Sequence, residues 1–319
     1  MAIQLSAQQQ AVVDCNEPRS VVKACPGSGK TFSVAARMAR LLRENNLSRH
    51  QGIAAVSFTN TACDVIKKEL KDTFGYPNVS YPSFIGTIDS FINTYIFLPY
   101  AHLVMGCDCR PEIVGTEFNK WYDYDASKRN YDRTKIIDPN YFVDKVSFNL
   151  NGEPIPLATA QEFNFSWSQM RNKDGKYRKD VKDIIETKRI HFAQGKANQA
   201  DATYFAYKIL NKYPSIAQNI VQRFPILIID EAQDTTELQI AIIDILSQRG
   251  ADSIMLIGDP DQAIFEWNTA NPHLFMEKYN SPDWFSLDLT ENRRSSDKIC
   301  QLANSFSGNA MNSIAIDKD

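Results

Sequence analysis

The stretch from Ala24 to Thr31, A-C-P-G-S-G-K-T, leaves this chain few folds to choose from. It follows a short apolar run, Ser20 to Ala24, and opens a helical pattern from Lys30 to about Arg43. Strand, glycine-rich turn and helix in that order make a phosphate-binding loop. Gly27 and Gly29 admit backbone conformations closed to residues with a Cβ, so the loop of Cys25, Pro26, Gly27, Ser28, Gly29, Lys30 and Thr31 can turn its N–H groups onto an anion. The helix behind adds its positive end. Lys30 reaches the β- and γ-phosphates of a nucleotide, and the Thr31 hydroxyl is placed to ligate Mg²⁺. The strict pattern begins with Gly where this one has Ala24.

Such a loop belongs in a parallel α/β sheet, and the flanking sequence agrees. Leu5 to Val13 is a helix start with Ser6 as N-cap. Ile53 to Phe58 and Phe84 to Thr87 are short apolar strands, each followed by a helical pattern, through Ala62, Ile66 and Leu70 and then from Ile88 to Leu98. Strand and helix alternate again from Phe224: Pro225 to Ile229, a helix over Thr236 to Arg249, Ser253 to Gly258, and a last strand over Trp284 to Leu289. Between these halves, from about Pro99 to Gln199, stretches such as W-Y-D-Y-D-A-S-K-R-N-Y and N-L-N-G-E-P-I-P-L replace the alternation. An inserted domain over 99–199 is expected, mainly helical, dividing an α/β domain made of 1–98 and 200–319. The insert's aromatic residues suit a core of their own or a stack of bases.

Charge sets limits on partners. The net charge of −3 creates no global field for nucleic acid, so DNA contact must be local. Arg171 to Arg189 concentrates basic residues but interleaves them with acids, a solvated helix face or a set of phosphate contacts. There is no run of eighteen apolar residues and no basic, apolar N-terminal leader, so the expected compartment is the cytoplasm and not a membrane. The six cysteines are scattered in a chain too large to need disulfide staples; Cys107-x-Cys109 with His102 lacks the second ligand pair of a zinc site.

Hydrolysis of ATP requires a held metal, an oriented water and neutralisation of the transferring phosphoryl group. Asp230, ending the apolar run Pro225 to Ile229 on a strand expected beside that of the loop, is suited to hold Mg²⁺ with Thr31. Glu231 is suited to orient or deprotonate water. Gln262 is placed to sense the γ-phosphate and Arg294 to supply positive charge to the transition state. Cys25, inside the loop, raises a further expectation, that its oxidation blocks nucleotide.

In order along the chain stand L-S-A-Q-Q, A-C-P-G-S-G-K-T, A-V-S-F-T-N-T-A, I-G-T-I-D-S-F, I-I-D-E-A-Q-D, G-D-P-D-Q-A-I-F-E-W and T-E-N-R-R-S. This ordered set resembles the superfamily 1 DNA helicases of the UvrD, Rep and PcrA type over about Leu5 to Ala101 and Phe224 to Ala303. The I-G-T-I-D-S-F stretch with a long insertion also looks like the helicase-like subunit of Gabija anti-phage systems. The first resemblance implies a RecA-like ATPase domain, the N-terminal part of a 3′ to 5′ helicase using ATP and Mg²⁺ on single-stranded DNA. It implies that Gln9 reads the adenine edge, that Thr59, Asn60, Thr87 and the position of Asp89 touch DNA, and that Phe265 and Trp267 stack on bases.

The departures from the family carry their own expectations. Its adenine lies between an Arg and a Tyr, at positions held here by Phe32 and Arg293, so the two faces of the sandwich are expected to be exchanged. Thr61, Asp89 and Asn268 stand where the family has Lys, His and Arg, which predicts weaker DNA-phosphate contact or help from a partner. Nothing after Ala303 resembles the family's second RecA-like domain, so the chain is expected to bind ATP but hydrolyse it slowly until that domain or a nuclease subunit completes the site. The rival reading is a non-motor subunit in which ATP switches assembly of a nuclease or defence complex. A kinase-like P-loop enzyme leaves Gln9, the F-T-N stretch and Trp267 without a role.

Overall fold

The computed structural model describes residues 5–44, 46–79, 81–115, 146–157, 174–176, 179–263, 272–305 and 311–314. Its centre is a six-stranded, all-parallel sheet of β1 (Arg19–Ala24), β2 (Ile53–Ser57), β3 (Phe84–Thr87), β4 (Ile226–Ile229), β5 (Ser253–Gly258) and β6 (Phe285–Leu289). The lateral order is β6-β1-β5-β4-β2-β3. The unbroken apolar runs read from the sequence follow from this, because both faces of each central strand are covered. Val21, Ala54, Val56, Leu227, Ile229, Ile254 and Leu256 enter one core, while Val22, Ile53, Ala55, Ile226, Ile228, Met255 and Ile257 enter the other. Parallel neighbours require crossovers, and the helices supply them.

One face carries α1 (Ala7–Asp14), α2 (Lys30–Glu44) and α3 (Asn60–Asp72), whose Val12, Val34, Met38, Ile66 and Leu70 are fully buried. Ser6 caps α1 in a reciprocal box with Gln9, and Thr236 does the same with Gln239 for the helix over Glu237–Gln248. The predicted helix over Ile88 to Leu98 is corrected in one respect. Its α-helical part, α4 (Ile88–Ile92), passes into a π-helical turn over Asn93–Phe97, where Phe91 and Tyr95 pack their rings on Phe224.

In the described part of 99–199, Glu112–Ile113 pairs with Lys196–Ala197 and Val146–Phe148 with Pro154–Pro156, and α5 (Lys179–Ala193) is its long helix. The return to the sheet is tied down by a buried ion pair, Lys188 Nζ to Asp201 Oδ2 at 2.7 Å, the latter on α6 (Gln199–Lys212). Around it Phe148, Phe192, Tyr204 and Phe205 pack against one another in tilted and edge-on ring contacts. These aromatics are core. The W-Y-D-Y-D-A-S-K-R-N-Y stretch and the start of the basic stretch at Arg171 lie outside the described residues.

Candidate nucleotide-binding and catalytic site

The carboxyl ends of β1, β5 and β4 lie side by side, and the turns that leave them share one crevice, as expected where the strand order of an open α/β sheet reverses. After β1 the chain enters the loop with Gly27 at φ 71° and Gly29 at φ 82°. A Cβ on Gly27 would come within 2.8 Å of Asn292 Oδ1 and 2.9 Å of Arg294 Cβ, so the N-R-R stretch lies directly against the loop. The Arg293 N–H donates to the Gly27 carbonyl at 2.9 Å, and Asn292 Oδ1 accepts from the N–H groups of Arg294 and Ser295 at 2.8 and 2.7 Å. Both arginine side chains are exposed. Gln9 is buried beside Gly29 and donates its Nε2 to the Ser28 carbonyl at 3.1 Å. Phe32 rests on Phe74, ring centres 5.7 Å apart.

Lys30 gathers the acids. Its Nζ lies 3.6 Å from Asp259 Oδ2 and 3.7 Å from Glu231 Oε2, and it donates to Gln262 Oε1 at 3.4 Å. The Thr31 hydroxyl donates to Asp230 Oδ2 at 3.1 Å. Burial, then the neighbouring Glu231, pushes the Asp230 carboxyl up to about 7, against the pull of Lys30. Burial likewise pushes Asp259 up to about 6, with Lys30 again lowering it. Hard oxygen donors from Thr31 and Asp230 beside a glycine cradle and an ammonium suit Mg²⁺ bound to a phosphate chain.

The sequence reading placed Asp230 on a strand beside that of the loop; the structure corrects this, because β5 lies between β4 and β1. Thr31 still reaches Asp230, since α2 begins directly after the loop at the carboxyl end of β1. The intervening strand contributes a residue the sequence reading missed, Asp259, fully buried, with Oδ1 accepting the N–H of Asp261. A signal for it existed: like Asp230, it ends an unbroken apolar run. Gln233 was missed as well. It sits in the turn Ala232–Asp234 and bonds both Glu231 and Asp259; the I-I-D-E-A-Q-D motif contains it, but nothing in the sequence gave it a role. Cys25 is a buried filler packed with Cys300 and Met311, and burial, with Asp259 next, pushes its thiol up to about 11. That opposes the expected oxidation, because the thiolate is the reactive form.

Thr59 and Thr87 cap α3 and α4, their hydroxyls accepting from the N–H groups of Ala62 and Ser90 at 3.2 and 3.1 Å. Thr59 and Asn60 are exposed. Asp89 accepts from Gln239 Nε2 at 2.9 Å in the wall of a cavity of about 560 Å³, which Phe58, Phe148, Asn198 and Leu274 also line, and burial raises its carboxyl above the usual range. Phe265 and Trp267 lie outside the described residues, as does Asn268.

The family model for the UvrD/REP helicase N-terminal domain matches residues 5–283. The chain belongs to this family. A probable DNA helicase II homolog of Mycoplasma capricolum is 26% identical over 306 residues, covering 94% of this chain and 40% of that protein. DNA helicase II of Haemophilus influenzae is 27% identical over 295 residues, 91% of this chain and 38% of that one. RexA of Lactococcus lactis, named for an exonuclease/helicase, is 27% identical over 194 residues, 57% of this chain and 15% of that one. The chain thus spans about 40% of the length of the helicase II relatives. As a UvrD/REP helicase N-terminal domain it has the α/β sheet expected from its motifs, and among the described residues no helix is long and apolar enough to cross a membrane.

Proposed function

We propose that this chain is the ATP-binding and single-stranded-DNA-binding N-terminal part of an ATP-dependent DNA helicase that moves 3′ to 5′. One observation carries the reading. Lys30, Thr31, Asp230, Glu231 and Gln262, drawn from three separated stretches of sequence, come together at the end of the sheet, Lys30 contacting Gln262 and Glu231 and Thr31 bonding Asp230. Lys30 neutralises the β- and γ-phosphates in place of the carboxylates it now faces, and the loop N–H groups hold their oxygens. Thr31 and Asp230 hold Mg²⁺, which when bound offsets charge on the phosphoryl oxygens. Glu231 orients the attacking water, Gln262 registers the γ-phosphate, and Arg294 stabilises the transition state. Adenine meets Gln9 at its edge and Phe32 and Arg293 on its faces; an Arg293→Ala protein that binds ATP as tightly as the parent refutes the last assignment.

Thr59, Asn60, Thr87 and Asp89, with Phe265 and Trp267, form the DNA track. Residues 99–199 form an accessory domain on an ATPase domain of 1–98 and 200–319. A second RecA-like unit, or a partner such as a nuclease subunit, completes the motor, and the compartment is the cytoplasm. No observation favours the non-motor rival or a role in anti-phage defence. The test is single-turnover ATP hydrolysis with and without single-stranded DNA, beside Glu231→Gln. Slow hydrolysis that DNA accelerates and Glu231→Gln abolishes is expected. Failure to bind Mg²⁺-ATP, or hydrolysis unchanged in Glu231→Gln, overturns the reading.

A further inference from the structure

Glu231 has an unusual backbone. At φ 52° and ψ 43° it is, among the described residues, the non-glycine residue in the left-handed region. A side chain there is strained and persists only where neighbours over-determine it. Its carboxylate is held through one oxygen: Oε2 faces Lys30 at 3.7 Å and accepts from Gln233 Nε2 at 2.9 Å. Bound phosphate draws the ammonium of Lys30 away. Gln233 then remains as the side chain that fixes Oε2.

The rest of Gln233 is fully engaged. The side chain is buried; Nε2 also donates to Asp234 Oδ2 at 3.1 Å, and Oε1 accepts from the N–H of Asp259 at 2.9 Å. Only an amide can give two hydrogen bonds to carboxylates and take one from an N–H in the same place. A glutamate would set a third carboxylate against the other two, and an apolar residue would orphan the Asp259 N–H. Gly258 permits the approach, since a Cβ there would stand 2.7 Å from Gln233 Oε1. Asp259 leads straight into the turn Pro260–Gln262, whose last residue contacts Lys30. One side chain therefore spans the end of β4, where water is activated, and the end of β5, where the phosphate is registered.

We infer that Gln233 is a positioning residue, which orients Glu231 toward the attacking water and makes that orientation depend on the Asp259 to Gln262 turn. The inference rests on the ATPase reading of Glu231. The test is single-turnover hydrolysis of radiolabelled ATP by the whole chain with single-stranded DNA, comparing Gln233→Leu, Gln233→Asn and Glu231→Gln with the parent. Gln233→Asn keeps a polar amide but draws it back by one methylene from Glu231 and Asp259, so it serves if Gln233→Leu does not fold. Expected is a fall in the maximal rate of at least tenfold in the Gln233 variants, with the half-saturating ATP concentration within threefold of the parent, and no further loss when either is combined with Glu231→Gln. A parental rate in a folded Gln233 variant, or a loss carried by ATP affinity instead of rate, overturns the inference while the ATPase reading stands. A parental rate in Glu231→Gln overturns both.

Discussion

Lys30 is usually considered for what it does to phosphate, yet in this structure it also stabilises the acids gathered around it, and replacing it with Met measures how much. The ammonium lies 3.6 Å from a carboxylate with no solvent exposure, Asp259, and 3.7 Å from Glu231. At an effective dielectric of about 20 the first contact is worth about 4.6 kcal/mol before desolvation is charged against it. The same quantity follows from titration. An opposite charge this close lowers a carboxyl by about 1–3 pKa units, which at 1.36 kcal/mol per unit is about 1.4–4 kcal/mol. Truncating one partner of a buried pair costs about 3–5 kcal/mol, so a loss in that range is expected near pH 8.

The loss should depend on pH, and its sign is fixed. Folded Asp259 titrates at about 6, above its unfolded value of about 3.9. A carboxyl raised in this way favours the folded state below the unfolded pKa, and that contribution is lost as pH climbs through the folded value. Without Lys30 the folded value rises further, so the variant goes on losing stability at pH values where the parent has levelled off. Near pH 5 most parent molecules already carry a protonated Asp259, and the penalty there should shrink to about 1–2 kcal/mol. Urea unfolding followed by tryptophan fluorescence at both pH values gives the two differences. Equal penalties, or one below about 1 kcal/mol near pH 8, would refute the argument.

Other outcomes follow from neighbouring features. Arg37→Met should cost about 3–5 kcal/mol in the same unfolding assay, because the buried guanidinium donates to the carbonyls of Val12, Val13 and Cys15 and to Ser253 Oγ, pinning the C-terminal end of α1 to the sheet. A loss below about 1 kcal/mol would show those carbonyls to be satisfied without it. Asp230 must give up its proton to hold a cation, and its carboxyl sits at about 7; Mn²⁺ affinity by titration calorimetry should therefore weaken by up to about tenfold per pH unit below neutrality. Affinity flat between about pH 6 and 8 would remove Asp230 from the metal site. A thiol reagent should label the exposed Cys109 long before Cys25, whose thiol is buried and raised to about 11; preferential labelling of Cys25 in peptide mass spectra would contradict that environment.

Much of the architecture could be read along the chain because its causes are local. Capping by Ser6, the span of α2 and the ends of the strands Phe84–Thr87 and Ser253–Gly258 depend on residues a few positions apart, and the structure has them where the side-chain pattern implied. The motifs were equally legible, since a phosphate loop must bring glycines, Lys30 and Thr31 within a single turn. Lateral strand order was not. A crossover helix carries the chain over any number of intervening strands, so nothing in the stretch from Pro225 to Glu231 records that β5 separates it from β1.

From that placement follow the features the sequence concealed: Asp259 beneath Lys30, and Gln233 bridging Glu231 to Asp259. The π-helical turn over Asn93–Phe97 was hidden for a related reason, as it stands where Tyr95 meets Phe224 from a distant part of the chain. The sequence by itself determined which groups can bind phosphate and which segments form strands and helices, because those depend on neighbours in the chain. The tertiary structure decided which acids share the ammonium of Lys30 and which amide holds Glu231, because electrostatics and hydrogen bonding act through distances in space.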